Sequence, residues 1–218
     1  MTQLPISLAR KSIQLWVLLA GHVFAGLFLR DLGVGLEQID DPRVRGFAVV
    51  LGEVSRTVTT WVAPAVVIFV AFIQVQLIRS KRVQWAIDIF GGLLCLRCVV
   101  QFLMLNLLLL SHLKAGGLLL LELLLFIPVI TINFGWLYWR LDSAARARGG
   151  THIRFSEEAG TLDPFDYFHI SSMTLLQFEP SGATATSRLM KTLFVIHGAM
   201  MLDLVALTLS RAIGLASG

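Results

Sequence analysis

Charged residues are scarce in this sequence, and hydrophobic residues take their place. Only 15% of the 218 residues are Asp, Glu, Lys or Arg, whereas 56% are hydrophobic, and the mean hydropathy is +0.77. A soluble domain has roughly 25% charged residues and cannot remove this much apolar surface from water in one core. The composition therefore excludes a soluble globular protein and indicates an integral membrane protein whose solvent is the lipid bilayer.

The sequence also lacks a polar stretch long enough to form a separate soluble domain. Its hydrophobic runs fit about five spanning helices of roughly 20 residues each, which predicts an all-α fold. We expect residues 1–113 to form an N-terminal part with three spans, and residues 114–218 to contain the rest. The predicted spans are residues 12–29, 57–78, 83–111, 118–139 and 188–213.

Residues for catalysis or metal binding are few. The two cysteines, Cys95 and Cys98, form a C-x-x-C inside the third predicted span, where redox or zinc chemistry would lack access to water. We interpret them as small packing residues. The sequence offers no nucleophile paired with a base, no metal-ligand cluster and no phosphate-binding loop. It therefore predicts no enzyme and no cofactor.

The net charge of +4 raises the question of nucleic-acid binding. The Lys and Arg residues lie beside apolar segments, where membrane orientation explains them better than a nucleic-acid partner does. The positive-inside rule predicts a cytoplasmic N-terminus and, with five spans, an external C-terminus. The basic residues that would share the cytoplasmic side are Arg10, Lys11, Arg79, Lys81, Arg82, Arg140, Arg146 and Arg148.

The segment before the last span is too short to cross the membrane. Residues 164–176 would be about 20 Å long as a helix, whereas the hydrocarbon core is about 30 Å thick. Asp163 fits a helix N-cap, Pro164 fits the first helical position, and Pro180 and Gly182 interrupt the chain afterwards. The pattern predicts a short re-entrant helix of the kind found in pore loops, followed by a polar return.

Residues 167–182 read Y-F-H-I-S-S-M-T-L-L-Q-F-E-P-S-G. This stretch resembles, without a gap, the pore helix and selectivity filter of the potassium-channel superfamily, in which an aromatic-rich helix with a Ser leads into T-L-T-T-V-G-Y-G-D. Ser171, Thr174 and Leu175 match that frame. Q-F-E-P-S at positions 177–181 stands in place of T-V-G-Y-G, and Gly182 stands in place of the acid. The resemblance implies that residues 114–218 form a channel-like module of helix, re-entrant loop and helix.

The last hundred or so residues are more closely similar to a group of uncharacterised bacterial membrane proteins. Their C-terminal part reads approximately D-Y-L-Y-L-S-F-T-T-A-T-A-F-S-P-T-D, then R-x-A-K-x-L-M-M, then a final helix that ends in A-R-A-V. The W-x-Y-W-R-L-D exit of the fourth predicted span also agrees. This resemblance implies a bacterial inner membrane and supports the architecture more than an activity. The matching residues are Asp166, Tyr167, Ser171, Thr174, Phe178, Pro180, Arg188, Lys191, Arg211 and Ala212.

The altered filter argues against ordinary potassium selectivity. Neither Glu179 nor Pro180 has the backbone freedom with which filter glycines aim successive carbonyls at an ion. In a tetramer, Glu179 would form a ring of carboxylates that attracts cations; alternatively, it caps the loop at the headgroup level. The residues that we assign to the ion pathway and filter are Thr174, Gln177, Phe178, Glu179, Pro180 and Ser181.

Asp203 lies midway along the last predicted span, where a carboxylate needs a partner or a wet cavity. We assign it to a cavity below the filter. The alternative is a structural ion pair with Arg97, which lies at similar depth in the third predicted span. His197 is six positions from Asp203, so both cannot face one narrow seam, and we expect His197 to contact another helix.

These inferences together predict a homotetrameric, ion-channel-like membrane protein that transports cations passively through a pore loop. Its partners would be the lipid bilayer, further copies of the same chain and the permeant cation, without nucleic acid. The alternative is a non-conducting membrane protein of the same fold that acts as an assembly or regulatory partner.

Overall fold

The computed structural model describes only part of the chain: residues 16–21, 23, 41–43, 45–54, 56, 57, 61, 65, 81–110, 116–156, 162–174 and 182–216. The chain divides into two compact units, Met1–Lys114 and Ala115–Gly218. Helix α1, Lys81–Leu110, belongs to the first unit. The second unit contains, in chain order, α2 (Gly116–Arg146), β1 (Ile153–Phe155), α3 (Pro164–Met173), β2 (Ala183–Ala185) and α4 (Arg188–Ala216).

Three helices within these described ranges are long and apolar enough to cross a membrane. The candidate spans are Ile87–Leu107 in α1, Leu123–Arg146 in α2 and Arg188–Gly214 in α4. They correspond to the third, fourth and fifth predicted spans, so the prediction of helices able to cross a membrane is confirmed for these three. The first two predicted spans, 12–29 and 57–78, lie mostly outside the described residues, and a total of five spans stays a prediction.

Helix α2 is longer than the sequence predicted, because it continues from the expected end at Trp139 to Arg146. Residues 141–146 read L-D-S-A-A-R, and Leu, Ala and Arg favour helix strongly. The side chains of Asp142 and Arg146, one turn apart, form an ion pair with Arg146 Nε 2.6 Å from Asp142 Oδ2. Local helix propensity and this pair therefore carry the helix two turns further.

The aromatic residues near that end do not form an interfacial belt. Trp136, Tyr138 and Trp139 are only 3%, 0% and 5% exposed, so they pack within the protein. Side chains in an aromatic belt would instead face the lipid headgroups. These three aromatic side chains therefore belong to the packed interior of the second unit.

Helix α3 begins where the sequence predicted, at Pro164, and ends three positions early, at Met173. The N–H of Phe165 donates to Asp163 Oδ1, and the N–H of Asp163 donates to Asp166 Oδ2, which forms a capping box. The helix has 10 residues, or about 15 Å, and is too short to span a bilayer.

Helix α3 packs against the C-terminal half of α2 and runs antiparallel to it. Near its start, the hydroxyl of Tyr167 donates to Asp142 Oδ2 at 2.7 Å. Near its end, Ser171 Oγ donates to the carbonyl of Thr131 at 2.8 Å. Since Thr131 and Asp142 are separated by eleven positions, about 16 Å along α2, the short helix leads from the end of α2 towards its middle.

The two short strands bring the chain back to the end of α2. Strands β1 and β2 pair antiparallel, with Ile153 opposite Ala185 and Phe155 opposite Ala183. The N–H of Ile153 donates to Asp142 Oδ1 at 2.9 Å, which fixes β1 at that level. Helix α4 then starts at Arg188, immediately after β2.

Helix α4 packs on α2 through aromatic side chains. Tyr138 contacts Phe194 edge to face at 4.9 Å between ring centroids, and Phe134 stacks on His197 at 4.1 Å. The phenol oxygen of Tyr138 lies 2.9 Å from His197 Nδ1, within hydrogen-bond distance. This layer holds the two long helices of the second unit together.

Candidate functional site

The residues assigned to the filter follow α3 in the sequence, and most of them fall outside the described residues. Gln177, Phe178, Glu179, Pro180 and Ser181 are in that group, so their assignment stays a prediction. Of the six, the structure describes only Thr174.

Thr174 caps the C-terminal end of α3 and is 2% exposed. Its N–H and its Oγ1 both donate to the carbonyl of Ile170, at 3.1 Å and 3.0 Å. The hydroxyl of Thr174 is thus engaged within α3, and the carbonyl of Ile170 accepts two hydrogen bonds. These bonds define where the helix stops and where the predicted filter would begin.

Asp203 lies on the side of α4 that turns away from α2. At 100° per residue it is about 120° round the helix from His197, which faces α2. Its side chain is partly buried, and its Oδ2 is buried with no hydrogen-bond partner among the described residues. The same side of α4 carries the large apolar residue Ile196 and four small or hydroxyl residues, all exposed on the single chain; the four are Thr192, Ala199, Ala206 and Ser210.

Arg97 lies in the middle of α1 and is 3% exposed. It belongs to the first compact unit, whereas Asp203 belongs to the second. Their pairing therefore stays a prediction. A guanidinium buried so completely in a candidate span fits a structural role better than contact with a permeant ion.

Among the described residues of the second unit, the most extensive polar network centres on Asp142, which is not one of the predicted site residues. Its side chain is fully buried. Oδ2 accepts from Arg146 Nε at 2.6 Å and from the Tyr167 hydroxyl at 2.7 Å. Oδ1 accepts from the N–H of His152 at 2.6 Å, from the N–H of Ile153 at 2.9 Å and from Thr151 Oγ1 at 3.4 Å. We call these residues, Asp142, Arg146, Thr151, His152, Ile153 and Tyr167, the Asp142 cluster.

The Asp142 cluster joins three elements at one carboxylate: the end of α2, the start of β1 and the first turn of α3. Burial, together with the hydrogen bond to Asp142, raises the pKa of the Tyr167 phenol above its ordinary value. The phenol therefore stays protonated and can donate. Arg146 adds a second link, because its Nη2 donates to the carbonyl of Ile153 at 2.9 Å. The carboxylate is thus satisfied by several charge-assisted hydrogen bonds.

One sequence signal points to this network: the W-x-Y-W-R-L-D exit of the fourth predicted span, in which Asp142 is the final residue. The signal was insufficient because the donors come from positions four to 25 residues further along the chain.

His197 is confirmed as a helix-contact residue, since it is fully buried, stacks on Phe134 and lies within hydrogen-bond distance of Tyr138. The side-chain amide of Asn106 donates to the carbonyl of Phe102 in its own helix.

Within the described parts of the chain, no three His, Cys, Asp or Glu side chains are grouped closely enough to hold a metal ion. Neither Cys95 nor Cys98 forms a disulfide bond, and Cys98 is buried, as expected of a packing residue.

Comparisons with protein-family models, with curated proteins and with solved structures find no match for this chain. Function is therefore inferred from the geometry of the second unit and from the sequence between α3 and β2.

Proposed function

We propose that this protein is a homotetrameric, channel-like membrane protein that lets cations pass through a pathway formed by the second unit. In this proposal α3 is a re-entrant helix, and residues 174–181 form the narrow part of the pathway. The protein resides in a bacterial inner membrane with a cytoplasmic N-terminus, so the loop enters from the cytoplasmic side.

The observation that carries this proposal is the course of the chain between the two long helices. The chain leaves the end of α2, descends beside α2 as α3 to the level of Thr131, and is back at the level of Asp142 in β2. A chain that enters a membrane and returns must either be buried in protein or line a water-filled path. A tetrameric axis beside α3 provides both.

The orientation of α3 favours a cation. The C-terminal end of a helix carries a partial negative charge of about half an elementary charge. That end, at Thr174, is the one directed towards the middle of α2. No basic residue lies in its last turn to compensate that charge. The field at the entrance to the predicted filter would therefore attract cations and repel anions.

Asp203 supports the same assignment. A carboxylate in a spanning helix is too costly to face lipid. Its side of α4 also carries small and hydroxyl residues, which leave room for water in a cavity. We therefore assign this side of α4 to the pathway, with Glu179 as a ring of carboxylates at the filter.

The test is current through the purified protein in planar bilayers, with Glu179→Gln as the first variant. We expect Glu179→Gln to lower the ratio of cation to anion permeability, because it removes the carboxylate ring. The matched control is Glu158→Gln, which makes the same chemical change in the polar linker before α3. An equal effect of both variants would indicate a general surface-charge effect and contradict the assignment of Glu179.

Particle images of the same preparation supply the second measurement. The proposal requires a fourfold axis that passes beside residues 174–182. A well-folded oligomer without current in any lipid would instead favour the alternative, a non-conducting protein of this fold that acts as an assembly or regulatory partner.

A further inference from the structure

The Asp142 cluster holds α3, which precedes residues 175–181, and, through β1, also holds β2, which follows them. On one side, Tyr167 of α3 donates to Asp142 Oδ2. On the other side, Ile153 of β1 donates to Oδ1, and the same residue pairs with Ala185 of β2. One carboxylate therefore sets the position of the helix that leads into the proposed filter and of the strand that leads out of it.

We propose that Asp142 is a positioning residue of the ion pathway, which sets the geometry of the filter from outside the pathway through Tyr167 and β1. This inference rests on the proposed function. Asp142 is fully buried and all its described partners are donors, so it does not contact the permeant ion.

The geometry explains why the link through Tyr167 matters most. Helix α3 has only 10 residues, so a small tilt at its start also displaces its far end. Tyr167 lies in the first turn of α3, and Thr174 caps the far end. Loss of the hydroxyl at position 167 frees that start of the helix while Arg146, His152 and Ile153 still satisfy the carboxylate.

The decisive variant is therefore Tyr167→Phe, which removes one hydroxyl and leaves the aromatic ring. Tyr138→Phe is the matched control, because Tyr138 is also buried in the same unit but faces His197 and lies outside the Asp142 cluster. Asp142→Asn is a stronger change and risks misfolding. If it does not fold, Tyr167→Phe alone tests the inference.

Two measurements are made on each full-length variant. The first is the ratio of potassium to sodium permeability from reversal potentials, which a loss of stability alone would not change. The second is amide hydrogen exchange at α3, β1 and β2, which requires no current. Loss of one hydrogen bond to a charged group corresponds to exchange that is about tenfold faster.

We expect Tyr167→Phe to change the permeability ratio and to speed exchange in α3, whereas Tyr138→Phe changes neither. Equal permeability ratios in both variants would overturn the inference and leave the cluster a structural support only. If the wild-type protein passes no current, the proposed function fails, and exchange alone decides whether Asp142 fixes these elements. Unchanged exchange in α3 of a folded Tyr167→Phe protein would then refute the positioning role.

Discussion

An acid in the middle of a spanning helix must face water, a cation or a basic group, and Asp203 is the residue of this kind on α4. We expect Asp203→Asn to lower cation conductance without unfolding the protein, because asparagine keeps the shape of the side chain and removes the charge. Single-channel current and the temperature of unfolding are the two measurements. Normal conductance in a well-folded Asp203→Asn protein would place this residue outside the pathway.

Arg97 is expected to act on folding rather than on permeation, because it is almost fully buried in α1. If it pairs with Asp203, Arg97→Gln leaves a buried acid alone and costs about 3–5 kcal/mol of stability. The double variant with Asp203→Asn should then recover much of that loss. The measurement is a double-mutant cycle on unfolding in detergent. Additive effects of the two substitutions would show that the residues do not pair.

At the residue scale, the sequence alone identifies some of the important polar residues and misses others. Asp203 and His197 stand out because polar residues are rare in a spanning segment, and rarity is visible in the sequence. Asp142 lies near the end of a helix among other polar residues, where an acid is ordinary. Its importance comes from donors such as Tyr167, 25 positions away, which only the folded chain brings within hydrogen-bond distance.

At the scale of elements, the contact between α2 and α3 depends on a glycine. A Cβ atom at Gly135 would lie 2.5 Å from Cδ1 of Phe168, which is too close for any side chain. The absence of a side chain at this position therefore lets α3 lie directly against α2.

We expect Gly135→Ala to destabilise the protein by about 1–3 kcal/mol, because α3 must move away from α2. The matched control is Gly92→Ala in α1, where a Cβ atom meets nothing within 4 Å. That change should be neutral or stabilise by about 0.5–1 kcal/mol, since alanine favours helix. The midpoints of thermal unfolding give the comparison. Equal shifts for both variants would contradict the close packing of α3 on α2.

The ends of elements were predictable where local chemistry defines them. The sequence Asp163-Pro164 marks the start of α3 because a cap and a proline act on neighbouring residues. The start of α4 at Arg188 follows the break at Pro180 and Gly182 in the same way. The predicted end of α2 at Trp139 was wrong: residues 141–146 favour helix locally, and the pairing of the buried Asp142 with Arg146, which only the folded chain shows, adds to that propensity.

At the scale of the whole molecule, orientation in the membrane is the prediction that connects both units. Short-loop Lys and Arg place the turn 79–82 on the cytoplasmic side. In a protein whose native Cys95 and Cys98 are replaced by alanine, we expect Ser80→Cys and Ser156→Cys to react with an impermeant thiol reagent only after the cells are permeabilised. Ser111→Cys should react in intact cells, because the third predicted span starts at the cytoplasmic turn 79–82 and ends on the external side at this residue.

The three labelling sites also test the number of crossings. Labelling of Ser80→Cys from outside, with Ser111→Cys protected, would invert the protein and place the loop on the external side. Identical labelling of Ser111→Cys and Ser156→Cys would mean that α2 does not cross the membrane, which would remove the basis for a re-entrant α3.

The paired strands make the segment between them separable from the two long helices of the second unit. Because Phe155 lies opposite Ala183, residues 156–182 begin and end at neighbouring points, and the N–H of Ser156 donates to the carbonyl of Gly182. The unit is thus a helical hairpin of α2 and α4, and the segment 156–182, which contains α3, lies between its two paired strands. A tight Asn-Gly turn could replace this segment and bridge β1 and β2 directly. The shortened chain would keep α2 and α4 as an antiparallel pair and would lack α3.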